Sequence, residues 1–181
     1  MKSLKILLTC MLLSMFSYSQ GKFLTKQGYT SFFSSSPVED ITADNNQVLS
    51  IIDTASSKIA ISMLMKSFMF EKSLMQEHFN ENYVESDIYP KAIFKGEILK
   101  FSELDGNNKK ATIVGDITIH GVTKKIEIHS TISKTENSIK LSGSFSIRVA
   151  DFNIEIPKVV VNNISETIKV TFELDHKPYR K

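Results

Sequence analysis

Gly115-Asp-Ile-Thr-Ile-His-Gly-Val-Thr-Lys-Lys-Ile-Glu-Ile128 is the stretch that decides the fold. Ile117 and Ile119 alternate with polar residues, a glycine-centred turn follows, and Ile126 and Ile128 then alternate with charged residues. Successive side chains of a β-strand point to opposite faces, so this period of two predicts two strands, each with one buried and one solvent-exposed face. The short turn between them predicts an antiparallel hairpin.

The same alternation recurs along the chain, most clearly from Ile139 to Val149. Short connections between strands favour antiparallel neighbours. About eight such strands close most economically into an up-and-down barrel without unpaired edges, although a two-sheet sandwich would also fit the alternation. The strands are predicted near residues 23–33, 47–54, 57–67, 91–102, 110–120, 124–134, 138–149 and 165–175. Turn-forming residues separate them at 44–46, 105–108, 135–137 and 162–163.

One segment departs from the alternation. Between Ser73 and Tyr83, Met75 and Phe79 precede Tyr83 at four-residue spacing, opposite a polar face. This spacing predicts one short amphipathic helix, and Ser73 with Gln76 resembles a capping box at its start. The helix is placed to act as a plug or lid at one end of the barrel, or simply to cap the core.

The N-terminus has the layout of a secretory signal peptide. Two lysines precede a short apolar run, and small polar residues follow at 17–19. The run is too short to span a bilayer. We therefore predict a signal peptide over residues 1–19, cut after Ser19 or Gln20, and one mature domain over residues 20–181 in the periplasm or the medium. A lipoprotein anchor at Cys10 is the alternative.

Removal of the signal changes the charge balance. Lys2 and Lys5 leave with it, so 22 basic residues become 20, which equals the 20 acidic ones. The remaining basic residues are dispersed, which argues against nucleic acid as a partner. Cys10 is the single cysteine, so the mature domain has to fold without disulfides.

Two motifs carry a resemblance to a known family. Residues 75–96 contain Phe79 shortly before a Tyr89-Pro90 pair that introduces a strand, and the segment resembles the helix-to-strand region of the YceI-like family, especially its short Bacteroidetes-type members. Gly115 to Lys124 is similar to that family's Gly-x-Leu-Thr-Ile-x-Gly-Val-Thr-Lys hairpin. The Arg-Asp-x-His-Leu stretch of the longer members is missing, because Phe70-Glu-Lys-Ser-Leu stands in that region.

The resemblance implies a lipocalin-like barrel whose apolar tunnel holds a long isoprenoid, quinone or fatty-chain lipid, as a carrier or sequestering protein. Methionines and phenylalanines between 63 and 79 are consistent with this, since flexible, polarizable Met side chains adapt to an apolar guest. They would equally suit a filled core in a structural or protein-interaction barrel. The predicted lining residues are Ile61, Met63, Met65, Phe68, Phe70, Met75, Phe79, Phe94, Ile117, Ile119, Phe145, Ile147 and Phe172.

Signals for catalysis are weak. His120 and His129 are out of phase with their apolar neighbours, which predicts that both lie on the wet outer face, without a third ligand at metal-binding spacing. No serine lies in a Gly-x-Ser-x-Gly turn. We therefore predict no metal, no cofactor and no enzyme activity. The rival is a hydrolase or isomerase that uses His78 or His120 with a carboxylate. Stable membrane insertion is not expected, and the oligomeric state stays open, a homodimer included.

Overall fold

Nine antiparallel strands and one short helix make up the computed structural model, which describes residues 21–160 and 163–179. The predicted signal peptide lies outside these residues. The strands are β1 (Lys22–Ser35), β2 (Asp40–Asp53), β3 (Lys58–Leu64), β4 (Met69–Phe70), β5 (Lys91–Ile98), β6 (Gly106–Ile119), β7 (Val122–Thr135), β8 (Ser138–Arg148) and β9 (Thr167–Pro178). The helix α1 (Ser73–His78) continues into a π turn (Phe79–Tyr83).

The eight long strands form a closed barrel. Each pairs with the next along the chain, β3 pairs with β5 across the helical insertion, and β1 pairs with both β2 and β9. The two-residue β4 is a short addition to β2. Every pairing is antiparallel, and the eight strands form one sheet that closes on itself through β1. The all-β, eight-stranded barrel is therefore confirmed, and the sandwich alternative is wrong. Closure removes the exposed edges that a flat sheet of this size would present.

The turn predicted at residues 44–46 is wrong, because these residues lie inside β2. Asn45 is fully buried, donates from Nδ2 to the carbonyl of Leu64 at 3.1 Å, and accepts from the amide of Gln47 at 2.8 Å. The register against β1 shifts next to it, between Gly28 and Thr30. The asparagines therefore mark a bulge, where the side chain replaces lost ladder hydrogen bonds, and not a chain reversal.

The β6–β7 hairpin forms as predicted, around His120 and Gly121. Both residues have positive φ, 50° and 72°. Two successive positive φ values are those of a type I′ turn, whose twist matches that of the flanking strands. A β-carbon on Gly121 would come within 2.7 Å of the ring of Tyr89, so a larger residue does not fit there.

The predicted helix is confirmed over residues 73–83, but its start differs from the capping box. Lys72 is the N-cap residue and makes no side-chain cap. Gln76 instead accepts, through Oε1, a hydrogen bond from the amide of Phe70 at 3.3 Å, which ties α1 to β4. A capping box needs the serine at the N-cap position, and Ser73 is already the first residue of the helix, one position too late.

The barrel interior has two halves that differ in packing. The lower half contains the chain ends around β1 and β9 and the β7–β8 hairpin; the upper half contains α1 and the β8–β9 connection. In the lower half, inward side chains meet across the axis and exclude solvent. The apolar ones exposed by 2% or less are Val48, Ile52, Ile59, Ile98, Ile113, Ile132, Ile139 and Leu141.

One histidine belongs to the packed lower half. His176 on β9 is fully buried, and its Nδ1 donates to the carbonyl of Ile139 at 3.0 Å. Ser50 Oγ lies 2.8 Å from Nε2 and donates to it in the neutral tautomer. Burial lowers the pKa of His176, because a charged imidazolium is disfavoured away from water. The hydrogen bonds to β8 and β2 link strands on opposite sides of β1 and β9.

Candidate ligand-binding cavity

The upper half of the barrel is hollow. Its cavity has a volume of about 360 Å³ and opens toward solvent beside α1. Almost all lining side chains are apolar, which is the usual character of a small-molecule site. The lining is formed by Phe32, Ser34, Glu39, Ile41, Met63, Met65, Phe68, Phe70, Leu74, Met75, His78, Phe79, Tyr83, Val84, Ala92, Ile117, Ile119, Phe145, Ile147, Val149, Ile154, Ile156, Val160, Asn163, Ile164, Ile168 and Val170.

Ten of the thirteen residues predicted from the sequence border this cavity. The three that do not are Ile61, Phe94 and Phe172. All three point inward as expected but lie deeper in the barrel than the cavity. On each strand the wall of the cavity is formed by the inward residue two positions nearer the upper end, namely Met63, Ala92 and Val170. The ten that the structure brings together are Met63, Met65, Phe68, Phe70, Met75, Phe79, Ile117, Ile119, Phe145 and Ile147.

Phe94 and Phe172 form the floor between the two halves. Phe94 is 4% exposed, and a β-carbon on either Gly96 or Gly115 would lie 2.7 Å from its ring. Phe172 is 7% exposed, and a β-carbon on Gly143 would lie 2.9 Å from its ring. Each ring therefore fills the space where those glycines carry no side chain, and the two rings cover the packed isoleucines below.

A cluster of four phenylalanines joins α1 to the barrel. Phe79 lies 5.4 Å from Phe32, 5.8 Å from Phe68 and 5.0 Å from Phe70, measured between ring centroids. The tilted, edge-on and stacked geometries are those that aromatic pairs favour. Because all four rings also line the cavity, the helix is held in place by the surface that a ligand would touch.

The ionisable side chains that border the cavity, those of Glu39, His78 and Tyr83, are all at least partly exposed, whereas the polar Ser34 on the same lining is buried. Glu39 borders the cavity and forms an ion pair with Lys72, which links the β1–β2 turn to the start of α1. His78 is exposed on α1 and also borders the cavity. Burial raises the pKa of the Tyr83 phenol, so that group stays neutral. The arrangement suits an amphiphile with its tail inside and its polar end at the mouth.

The β8–β9 connection supplies lining residues that the sequence patterns missed. Residues 149–160 and 163–166 belong to this connection, and Ile154, Ile156 and Ile164 among them reach the cavity. A connection this long is uncommon in a compact domain unless it has a role, and that length was the available signal. Phe152 in the same segment is buried at 2% exposure and helps to anchor it.

His120 is not on the outer face, contrary to the sequence prediction. Its side chain is 11% exposed, its Nε2 lies 2.6 Å from Glu85 Oε2, and its Nδ1 lies 3.1 Å from the carbonyl of Phe152. The alternation failed because His120 is a turn residue and not a strand residue. His129 is on the outer face, with its side chain 80% exposed.

The structure brings no metal-binding group together within residues 21–160 and 163–179, where no three His, Cys, Asp or Glu side chains cluster suitably. His78 and His120 belong to different sites, since His120 does not border the cavity. In the same part of the chain, no helix is long and apolar enough to cross a membrane.

A second depression, of about 620 Å³, lies on the outside of the barrel. Lys22, Lys58, Lys95 and Lys125 border it together with three acidic residues, Asp53, Glu97 and Asp116. Charges of both signs interleave there, as on an ordinary solvated sheet face, and nothing converges on one point. The upper cavity is therefore the stronger candidate for a ligand site, although it is the smaller of the two.

A closed antiparallel barrel of eight strands with an apolar cavity at one end defines the lipocalin-like class of barrels. A sequence model of the YceI-like domain matches residues 14–176 of the chain. The protein belongs to the YceI-like family. No curated protein sequence matches the chain.

Solved structures agree with that assignment at the level of the fold. A polyisoprenoid binding domain from Saccharophagus degradans, implicated in plant cell wall breakdown, has a TM-score of 0.75 and 16% identity, over 88% of this chain and 99% of that one. BcnA from Burkholderia cenocepacia has a TM-score of 0.69 and 17% identity, over 82% and 95%. A YceI protein from Campylobacter jejuni has a TM-score of 0.54 and 18% identity, over 81% and 85%.

Proposed function

We propose that this protein is an exported carrier or sequestering protein that holds the apolar tail of an isoprenoid, quinone or fatty-chain lipid in the upper cavity. The observation that carries the proposal is the hollow, apolar upper half, which contrasts with a lower half packed from the same strands. A cavity lined this way gains free energy whenever apolar ligand surface leaves water, at about 25 cal/mol per Å² before ordering costs.

The family and its solved relatives support the same reading. The S. degradans relative is described as a polyisoprenoid binding domain. The ten predicted residues that border the cavity are proposed to contact the tail, with Leu74 and His78 at the mouth. Leu74 is 60% exposed although it also borders the cavity, so it offers an apolar path from solvent to the interior.

Export is part of the proposal. The basic start, apolar run and small residues of the N-terminus support a signal peptide over residues 1–19 and a mature domain over residues 20–181. Fractionation of an exporting bacterium, followed by intact-mass measurement, is expected to give a soluble chain that begins near Gly21. A chain that retains Met1 in the cytoplasm would refute export but leave the lipid site open.

The binding proposal is tested by native mass spectrometry of detergent-free protein, followed by organic extraction. We expect a discrete adduct that extracts as a molecule with a long apolar tail. A matched variant, Ile147→Asp on the cavity wall, should lose the adduct, whereas Lys95→Asp on the outer face should keep it. A bare chain that takes up no quinone, prenol or fatty alcohol would favour a structural or protein-interaction barrel.

Catalysis is a different class of function. The structure pairs His120 with Glu85 at 2.6 Å, as the enzyme alternative requires, but neither residue borders the cavity, so this pair gives no support for catalysis on a ligand held there. His78 borders the cavity, and Glu39 is the carboxylate on the same lining, but Glu39 is paired with Lys72. A general base needs a free acceptor within hydrogen-bond reach of the proton it removes. Turnover of a bound ester or prenyl compound that is abolished by His78→Gln would overturn this conclusion.

A further inference from the structure

The floor of the cavity carries an inference that rests on the proposed function and narrows its ligand. We propose that Phe94 and Phe172 end the cavity and thereby set the length of tail that the protein accepts. The tail is a single chain with about twelve carbons inside the barrel. The feature that distinguishes this barrel from an open tunnel is its packed lower half.

The volume supplies the first argument. The cavity holds about 360 Å³. A chain carbon takes up roughly the space of one water molecule in the liquid, about 30 Å³, so the cavity holds about twelve carbons. Any further carbons of a longer tail have to remain at the mouth, where they lose little contact with water and add little affinity.

The position of the rings supplies the second argument. On β5, Ala92 borders the cavity and Phe94, the next inward residue, does not. On β9, Val170 borders it and Phe172 does not. Both rings are more than nine-tenths buried, and each is the first inward side chain on its strand that no longer borders the cavity, which places them at its lower end.

The glycines supply the third argument. The Phe94 ring lies over Gly96 and Gly115, within 2.7 Å of where a β-carbon would be on either one. Phe94 therefore has a ready-made recess and does not need to move when a tail enters from above. Truncation of the ring would turn that recess into additional cavity, because no other side chain is attached to those two positions.

Below the floor no space continues. Ile98 and Ile113 follow on the strands that carry Phe94 and Ile117, at 0% and 2% exposure. Protein interiors are close-packed, so a tail cannot pass these residues without displacing them. The limit therefore depends on the two phenylalanines, which separate the cavity from a core that is already full.

The test is a chain-length series on the purified protein, stripped of lipid. Straight-chain fatty alcohols of about eight to twenty carbons are titrated below their aggregation limits, and affinity is expected to rise roughly fourfold per carbon until about twelve carbons and then to level off. Isoprenoid alcohols of equal carbon number are titrated in parallel. The series that binds more tightly at equal carbon number shows whether the natural tail is a straight fatty chain or an isoprenoid.

Two variants move the limit and one does not. Phe94→Ala and Phe172→Ala each add room for on the order of three carbons, so their plateaus should shift to longer chains by that amount. Ile132→Ala removes a comparable amount of buried surface well below the floor and should keep the wild-type plateau. If an alanine variant fails to fold, Phe94→Leu tests the same shift on a smaller scale.

The outcomes separate the two claims. Wild-type affinity that keeps rising beyond about sixteen carbons, or a plateau that no phenylalanine variant moves, would overturn the floor while the lipid-binding function stands. A plateau that Ile132→Ala shifts equally would also overturn it. If no alcohol of any length or branching binds, the proposed function itself fails, and the floor with it.

Discussion

The two halves of this barrel use the same strands for opposite purposes. In the lower half, stiff isoleucines such as Ile132 and Ile139 interdigitate until no exposed surface remains. In the upper half, the same strands carry phenylalanines and methionines around a cavity that α1 and the β8–β9 connection cover. The strand alternation defines which side chains point inward but does not determine whether they meet. We therefore expect the lower half to contribute most of the stability, while the upper half contains the proposed ligand cavity.

The difference between the two halves is tested most directly by truncating one isoleucine in each half of the same strand. Ile139 and Ile147 both point inward on β8, but Ile139 is fully buried and Ile147 borders the cavity. Ile139→Ala should cost about 2–5 kcal/mol of unfolding free energy, since it removes burial and leaves a void. Ile147→Ala should cost about 1 kcal/mol or less, because its neighbours already face open space. Urea denaturation measures both, and equal losses would refute the division into halves.

His176 provides a polar test of the lower half. His176→Leu removes two buried hydrogen bonds and leaves the Ser50 hydroxyl and the Ile139 carbonyl without partners, which should cost about 1–3 kcal/mol. The control is His129→Leu on the outer face, where the change should lie within about 0.5 kcal/mol. Adding Ser50→Ala to His176→Leu should restore part of the lost unfolding free energy, because the unpaired hydroxyl is then removed. A His176 variant as stable as wild type would show that packing alone holds this half together.

The acid dependence of stability isolates the same side chain. Because burial lowers the pKa of His176 below its unfolded value of 6.5, the unfolded chain binds the extra proton first. The stabilisation that neutral His176 gives the folded state is fully present above about pH 6.5. It is lost as the pH falls toward the folded pKa, at no more than about 1.4 kcal/mol per pH unit. The stability difference between wild type and His176→Leu should therefore shrink from about pH 7.5 to pH 5. Parallel curves would contradict this prediction.

The smallest effect is expected at the mouth. Lys72→Gln removes the ion pair with Glu39, and because both groups lie at the surface the unfolding midpoint should not move measurably. Amide hydrogen exchange over residues 73–83 should nevertheless become faster, since the pair links α1 to the β1–β2 turn. Lys177→Gln, which breaks the exposed pair with Asp175 in the lower half, should change neither quantity. Unchanged exchange in the Lys72 variant would mean that the phenylalanine cluster alone holds the helix.

The sequence predicted the barrel well because its signals are local. The isoleucine alternation is local to each of β6, β7 and β8, and the Met75–Phe79–Tyr83 spacing is local to α1 and the π turn that continues it. The structure confirms both patterns. Misreadings arose where one residue type serves two purposes. Asn45 resembled a turn residue but satisfies a bulge, and His120 continued a strand pattern although it sits in the turn after it.

The division into halves could not be predicted from sequence. Phe94 and Phe145 are both inward phenylalanines on strands, yet one is in the floor and the other in the wall. The difference depends on Gly96 and Gly115, which face the Phe94 ring only after β5 and β6 pair in the observed register. Likewise Ile154 and Ile164 reach the cavity through a loop whose course no periodicity specifies.

The pairing of β1 with β9 has a consequence for how the chain reaches this structure. Phe23 lies opposite Pro178, so the ring of strands closes only when the first and last segments of the polypeptide meet. Contacts between such distant parts of a chain form late and slow folding. Until β9 has been synthesised and has paired, β1 and β8 present open edges that can pair with other chains. A truncation that removes β9 should therefore yield aggregates and not a smaller barrel.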